Sequence, residues 1–171
     1  MKILSYLDPY GYEVKNIGYS LDEILRYPRV IAFRHMKEEE ITIMKTWILS
    51  YKIDGIYYFG FELPRLLPEE ARSKLPEVDY DFIKLTRFKA DCVLEKTNEW
   101  LIIEVKDYLM TTALSQPIIY KTLFEKYLKP TKPCKPVLVY GEAAIEVEEI
   151  AKQMGIECYN MRIPVRRKHI I

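Results

Sequence analysis

The sequence predicts an α/β protein: a central mixed β-sheet that includes one antiparallel hairpin and is flanked by helices. Three observations predict it. Two strand-like runs, 88–95 and 99–106, flank a tight turn at Thr97-Asn98, where asparagine tolerates turn geometry. After them, apolar residues at helical spacing (Ile118, Ile119, Leu123, Phe124, Tyr127) give way to short apolar runs of strand length. Before them, a helical stripe of Ile41, Met44, Ile48 and Tyr51 leads into an aromatic and β-branched run at 56–61.

Taken in order, the elements start with a helix. Ser20-Leu21-Asp22-Glu23 is a capping box, in which serine and glutamate satisfy each other's free backbone donors, and that helix must stop by Pro28. A second helix spans 37–51 behind an acidic first turn, Glu38 to Glu40, which suits the positive end of the helix dipole. Asp54-Gly55 turns the chain into the strand at 56–61, and a short helix is expected between Pro68 and Pro76. The run 79–85 reads as a strand. The hairpin follows, then a helix from Gln116 or Pro117 to residue 127, a Pro/Lys-rich loop and a strand at 136–140. Gly141 turns into a helix at 143–154 capped by Gly155, and a last strand covers 157–161. No repeat or flexible linker divides the 171 residues, so one domain is expected, with 1–36 an N-terminal elaboration and 162–171 a basic tail.

Composition narrows the classes. With 49% hydrophobic and 30% charged residues the chain is neither disordered nor fibrous. No apolar run approaches the roughly 20 residues of a membrane span, and residues 1–7 lack the apolar core of a secretory signal, so an intracellular setting without membrane attachment is expected. Cys92, Cys134 and Cys158 are too few and too scattered for a disulfide scaffold or a zinc site. His35 and His169 have no neighbours at ligand spacing. The net charge of +1 offers no global attraction to nucleic acid, so a polyanion site must rest on local clusters. Two exist: Lys121, Lys126, Lys129, Lys132 and Lys135, relieved only by Glu125, and Arg166, Arg167 and Lys168 in the tail.

The hairpin carries the chemistry. A turn centred on Thr97-Asn98, or a four-residue loop at 96–99, places Asp91 directly opposite Glu104, with β-carbons about 5 Å apart. Lys106 shares that face, two residues on, and Lys89 would lie opposite it on a phosphate-facing rim. Paired carboxylates at the end of apolar strands repel unless neutralised, and a hard divalent ion such as Mg²⁺ or Mn²⁺ chooses oxygen ligands of this kind, with the Val105 carbonyl as a third. Such an ion polarises a phosphoryl oxygen and acidifies water, which an adjacent lysine positions. Asp91, Glu104 and Lys106 are therefore candidate catalytic residues for phosphodiester hydrolysis, with Asp91, Glu104 and Val105 as metal ligands.

Asp91, then Glu104-Val105-Lys106 on the next strand, then helix, strand, helix and strand, resembles the PD-(D/E)XK nuclease superfamily with its restriction-endonuclease-like core. The resemblance covers about 79–161. It implies a metal-dependent deoxyribonuclease with metal ligands at Asp91 and Glu104 and a catalytic lysine at Lys106. Gln116 and Tyr120, four residues apart on the following helix, resemble the glutamine and tyrosine of the RecB-like branch, which implies that they contact substrate or steady the lysine. Pro117 fits that helix only within its first turn. Archaeal Holliday-junction resolvases in the superfamily place a glutamate on the first core helix, and Glu40 is the corresponding candidate. The RecB-like reading implies single-stranded or end-bearing DNA as partner; the resolvase-like reading implies branched DNA and a homodimer.

Each feature also has a plainer reading. Asp91, Glu104 and Lys106 could be an exposed ion-pair ladder, worth about 0–1 kcal/mol. Lys121 and its neighbours could be a solvated helix face rather than DNA-contacting groups, and Gln116 a helix cap beside a packed Tyr120. The alternative function is then a catalytically inactive module of the same fold that binds nucleic acid or a protein.

Overall fold

The computed structural model describes residues 1–27, 33, 36–65 and 80–163. The chain opens with a β-hairpin, which corrects the expected helix-led start: β1 (Lys2–Leu7) and β2 (Glu13–Ser20) pair antiparallel. The buried side of β2 carries Val14, Asn16 and Gly18, so only one large apolar residue marks the strand period in the sequence. Asp8 closes the turn by accepting the Tyr10 and Tyr12 N–H groups at 3.0 and 2.9 Å. Helix α1 (Leu21–Arg26) follows, and its capping box is formed: Ser20 Oγ accepts the Glu23 N–H at 3.2 Å while Glu23 accepts the Ser20 N–H at 2.9 Å.

Helix α2 (Glu38–Tyr51) matches the expected 37–51 within a residue, but its buried stripe is Glu40, Ile43, Met44, Trp47 and Ile48, with Tyr51 turned outward. Strand β3 (Ile56–Leu63) runs two residues past the expected end. Helix α3 (Tyr80–Thr86) corrects the strand expected at 79–85. The alternation of Asp79, Tyr80, Asp81 and Phe82 in the sequence imitates a half-buried strand, yet in the helix Ile83 is buried and Leu85 is 82% exposed. Then come β4 (Phe88–Glu95), β5 (Trp100–Leu109), a 3₁₀ turn (Thr111–Ala113), α4 (Ser115–Leu128), β6 (Cys134–Ala143), α5 (Ile145–Gln153) and β7 (Glu157–Asn160). The helix expected between Pro68 and Pro76, the stop at Pro28, both histidines and the basic residues Arg166, Arg167 and Lys168 lie outside the described residues.

The seven strands form one mixed sheet in chain order, antiparallel from β1 to β5 and parallel from β5 to β7. Parallel strands need crossovers, and α4 and α5 supply them. Helix α2 covers one face, packing Ile43, Met44 and Trp47 against Val105, Val137 and Val139. Helix α4 covers the other, where Tyr120 and Phe124 meet Tyr58, Phe61 and Ile102, and α5 lies on that side too, over Leu138 and Tyr140. Each fully buried large apolar side chain contributes about 1.5–3 kcal/mol, so this two-sided burial is what holds β4 and β5 in place. All three cysteines are free, and among the described residues no helix is long and apolar enough to cross a membrane.

Candidate active site

The hairpin adopts the expected register. Glu95 pairs with Trp100, Leu94 with Leu101, Val93 with Ile102 and Cys92 with Ile103, and the loop is closed by the Lys96 N–H on the Glu99 carbonyl at 2.9 Å. At the next step, Asp91 and Glu104, the ladder stops. The Val105 N–H turns instead to the Asp91 carboxylate, at 2.8 Å from Oδ2. Beyond that point β4 stays with β3 and β5 stays with β6, so the two strands fork and the two acids stand where they separate. The fork corrects the expected pairing of Lys89 with Lys106: Lys89 lies opposite Glu62 of β3.

Both neighbours of this step are irregular. Gly60, opposite Asp91 in the β3–β4 register, has φ of 60°, and no bridge joins the two although Phe59–Cys92 and Phe61–Ala90 pair on either side. A glycine inside an aromatic strand is the sequence signal for such a break; it stood in the run at 56–61 and was not among the expected site residues.

The site is buried and unbalanced in charge. Glu104 is 3% exposed, Asp91 8% and Glu40, from the first turn of α2, 6%. Lys106 Nζ lies 2.6 Å from Glu104 Oε1. Glu104 Oε2 is buried with no hydrogen-bond partner. Glu40 is partly committed elsewhere, since its Oε2 accepts the Lys37 N–H at 2.9 Å and caps α2. Burial, the Glu104 charge and the Glu40 charge push Asp91 up to about 8, against the pull of the Val105 N–H and Lys106. Burial also lifts Glu104 above the ordinary carboxylate range despite Lys106, and Glu40 adds to the rise. Burial works against the Lys106 charge, but Glu104, Asp91 and Glu40 hold it above its usual value. An exposed ion-pair ladder has neither this burial nor these shifts.

Helix α4 carries the next two candidates. Pro117 is its third residue, where a missing N–H costs no intrahelical bond, so Gln116 is helical and lies one turn from Tyr120, with Nε2 to Oη at 3.5 Å. Burial raises Tyr120, and the charges of Glu104 and Asp91 add to it. Lys121 points elsewhere: it pairs with Glu125 at 2.9 Å. Its cluster is largely self-neutralised at the hairpin tip, where Lys135 meets Glu99 at 2.7 Å and Lys132 meets Glu95 at 3.6 Å.

The donor set fits a hard divalent cation. Two buried carboxylates share one lysine, one oxygen of Glu104 has no partner among the described residues, and the Val105 carbonyl, next after Glu104 in the chain, is a further oxygen ligand. Among the described residues no group of three His, Cys, Asp or Glu side chains forms a cage of its own, so an ion here would draw on two carboxylates, a main-chain oxygen and water. In comparisons with protein-family models, curated proteins and solved structures, none matched this chain.

Proposed function

We propose that the chain is a metal-dependent deoxyribonuclease with a restriction-endonuclease-like core. The observation that carries the reading is the forked hairpin: two buried carboxylates on strands that separate at that step, with one oxygen of Glu104 unpartnered and Lys106 on its other oxygen. The order β3, β4, β5, α4, β6 supplies the antiparallel strands, crossover helix and parallel strand that such a core requires.

Asp91, Glu104 and the Val105 carbonyl would hold Mg²⁺ or Mn²⁺, which polarises a phosphoryl oxygen and acidifies attacking water. Lys106, kept charged by the acids around it, donates hydrogen bonds that orient the water in line with the scissile bond. Tyr120 and Gln116 approach from α4 as neutral donors suited to a phosphate or sugar oxygen. Lys89, on the diverging arm of β4, offers a cation to the flanking backbone. Glu40 adds negative charge from α2 and favours cation uptake.

The test is degradation of single-stranded, linear, supercoiled and branched DNA by the purified chain with Mg²⁺ or Mn²⁺. Cleavage that disappears with chelator and in Asp91→Ala and Lys106→Ala supports the reading. Absence of cleavage on every substrate, or equal cleavage by those variants, sinks it and leaves the inactive binding module, whose DNA affinity would need no metal and would fall steeply with salt.

A further inference from the structure

We infer that Gly60 is a positioning residue of the site: its left-handed backbone turns the Asp91 carboxylate out of the face alternation and into the plane of the sheet, against the Val105 N–H. Its consequence for catalysis rests on the nuclease reading.

Side chains two apart on a regular strand share a face. Around Gly60 and Asp91 they do not. Phe59 and Cys92 pack on the α2 side, whereas Phe61 and Ala90 pack on the α4 side. The reversal occurs on both strands at the same step, the one at which their ladder has no bridge. Gly60 supplies the backbone for it, since φ of 60° is a region that residues with a β-carbon rarely enter. Asp91, caught between neighbours on opposite faces, directs its carboxylate sideways to β5, where Oδ2 takes the amide that β4 no longer engages.

The reversal is also anchored. The β2–β3 ladder ends at Gly18–Tyr58, and two residues past Gly60 the Glu62 N–H is taken by the Asn16 side chain at 2.9 Å. The Glu62 carboxylate is fixed in turn by Arg87, at 2.9 Å. With Oδ2 committed to Val105, Asp91 presents its other oxygen to a cation from a position set by backbone rather than by a free rotamer.

The test compares Gly60→Val, Gly60→Ala and Gly60→Asn in the full chain; asparagine enters the left-handed region more readily than valine or alanine. Hydrogen exchange at the Val105 amide, relative to Ile103, reports the Asp91 contact without reference to activity. Mn²⁺ affinity and the separate values of kcat and KM report the site. Gly60→Val should speed Val105 exchange at least about tenfold, weaken Mn²⁺ by about 10- to 100-fold, as loss of a supporting contact does at metal sites, and lower kcat with little change in KM. Gly60→Asn should recover most of each. If Gly60→Val does not fold, Gly60→Ala carries the comparison. A folded valine or alanine variant with parental Val105 protection and parental Mn²⁺ affinity overturns the inference. A parent protein that binds no Mn²⁺ and cuts no DNA, while Val105 exchange still responds to the Gly60 series, overturns the nuclease reading and leaves the positioning role of Gly60 standing.

Discussion

Two buried ionic clusters, Arg87 with Asp8 and Glu62 and Lys106 with Asp91, Glu104 and Glu40, are built differently. In the first, Arg87 reaches Asp8 and Glu62, each at 2.9 Å, and the Arg87 and Asp8 side chains are 2% and 1% exposed. Asp8 also accepts two turn amides, so its charge is hydrogen-bonded from several directions. Burial opposes the Arg87 charge, but its two carboxylates hold the guanidinium above its usual value. In the second cluster, Asp91, Glu104 and Glu40 share one lysine, both strand acids are displaced upward, and Glu104 Oε2 has no partner. The first cluster sets one guanidinium directly on two carboxylates and ties the N-terminal hairpin to β3. In the second, one lysine stands among three acids that the surrounding packing fixes, and perturbed carboxylates of this kind cluster at functional sites more often than in purely structural ion pairs.

The sharpest break between the two clusters is in activity. Lys106→Ala should lower the rate of DNA cleavage by about 10²–10⁴-fold, the range expected for loss of a positioned proton-handling group, with an unchanged fold by circular dichroism. Arg87→Ala should do the reverse. Stranding Asp8 and Glu62 removes about 3–5 kcal/mol of stability, read from chemical denaturation, while the folded protein retains cleavage activity.

Next in size is the effect of pH. Asp91, displaced from 3.8 to about 8, keeps a proton in the folded chain that the unfolded chain has lost. In chelator, stability should therefore fall as pH rises from about 4 to about 8, since the folded state binds more protons across that window. Asp91→Asn should flatten this slope. Mn²⁺ should bind more tightly as pH rises over the same range, because the cation displaces the proton. A chelated protein whose midpoint is level from pH 4 to 8 contradicts the assignment. The smallest effect belongs to neither cluster: Ser20→Ala removes one half of the α1 capping box and should cost about 1 kcal/mol by denaturation, with cleavage unaltered.

Much of the second cluster was legible in the sequence because a hairpin register follows from its turn. Once Thr97-Asn98 is the loop, the partners of Cys92 through Glu95 are determined, and Asp91 and Glu104 fall at the next step. Gln116 and Tyr120 were legible because four residues make one helical turn. The fork was not legible, since it depends on β4 preferring β3 and β5 preferring β6, a competition between strands far apart in the chain. For that reason Lys89 was assigned to the wrong partner. The first cluster was invisible for the same reason: Asp8, Glu62 and Arg87 have no mutual spacing that signals contact. The hairpin at residues 2–20 was missed because the inward positions Asn16 and Gly18 are not apolar, and α3 was misread because two aspartates alternate with aromatic residues.

Because the strands lie in the sheet in the order in which the chain presents them, assembly can proceed by adding each strand to one already in place. The acids of β4 and β5 would then meet while still bathed in solvent, where their repulsion is weak. Only when α2 and α4 have both docked does the low-dielectric environment form around them. The repulsion between the two acids is therefore borne by the closing of the helical layers rather than by formation of the hairpin.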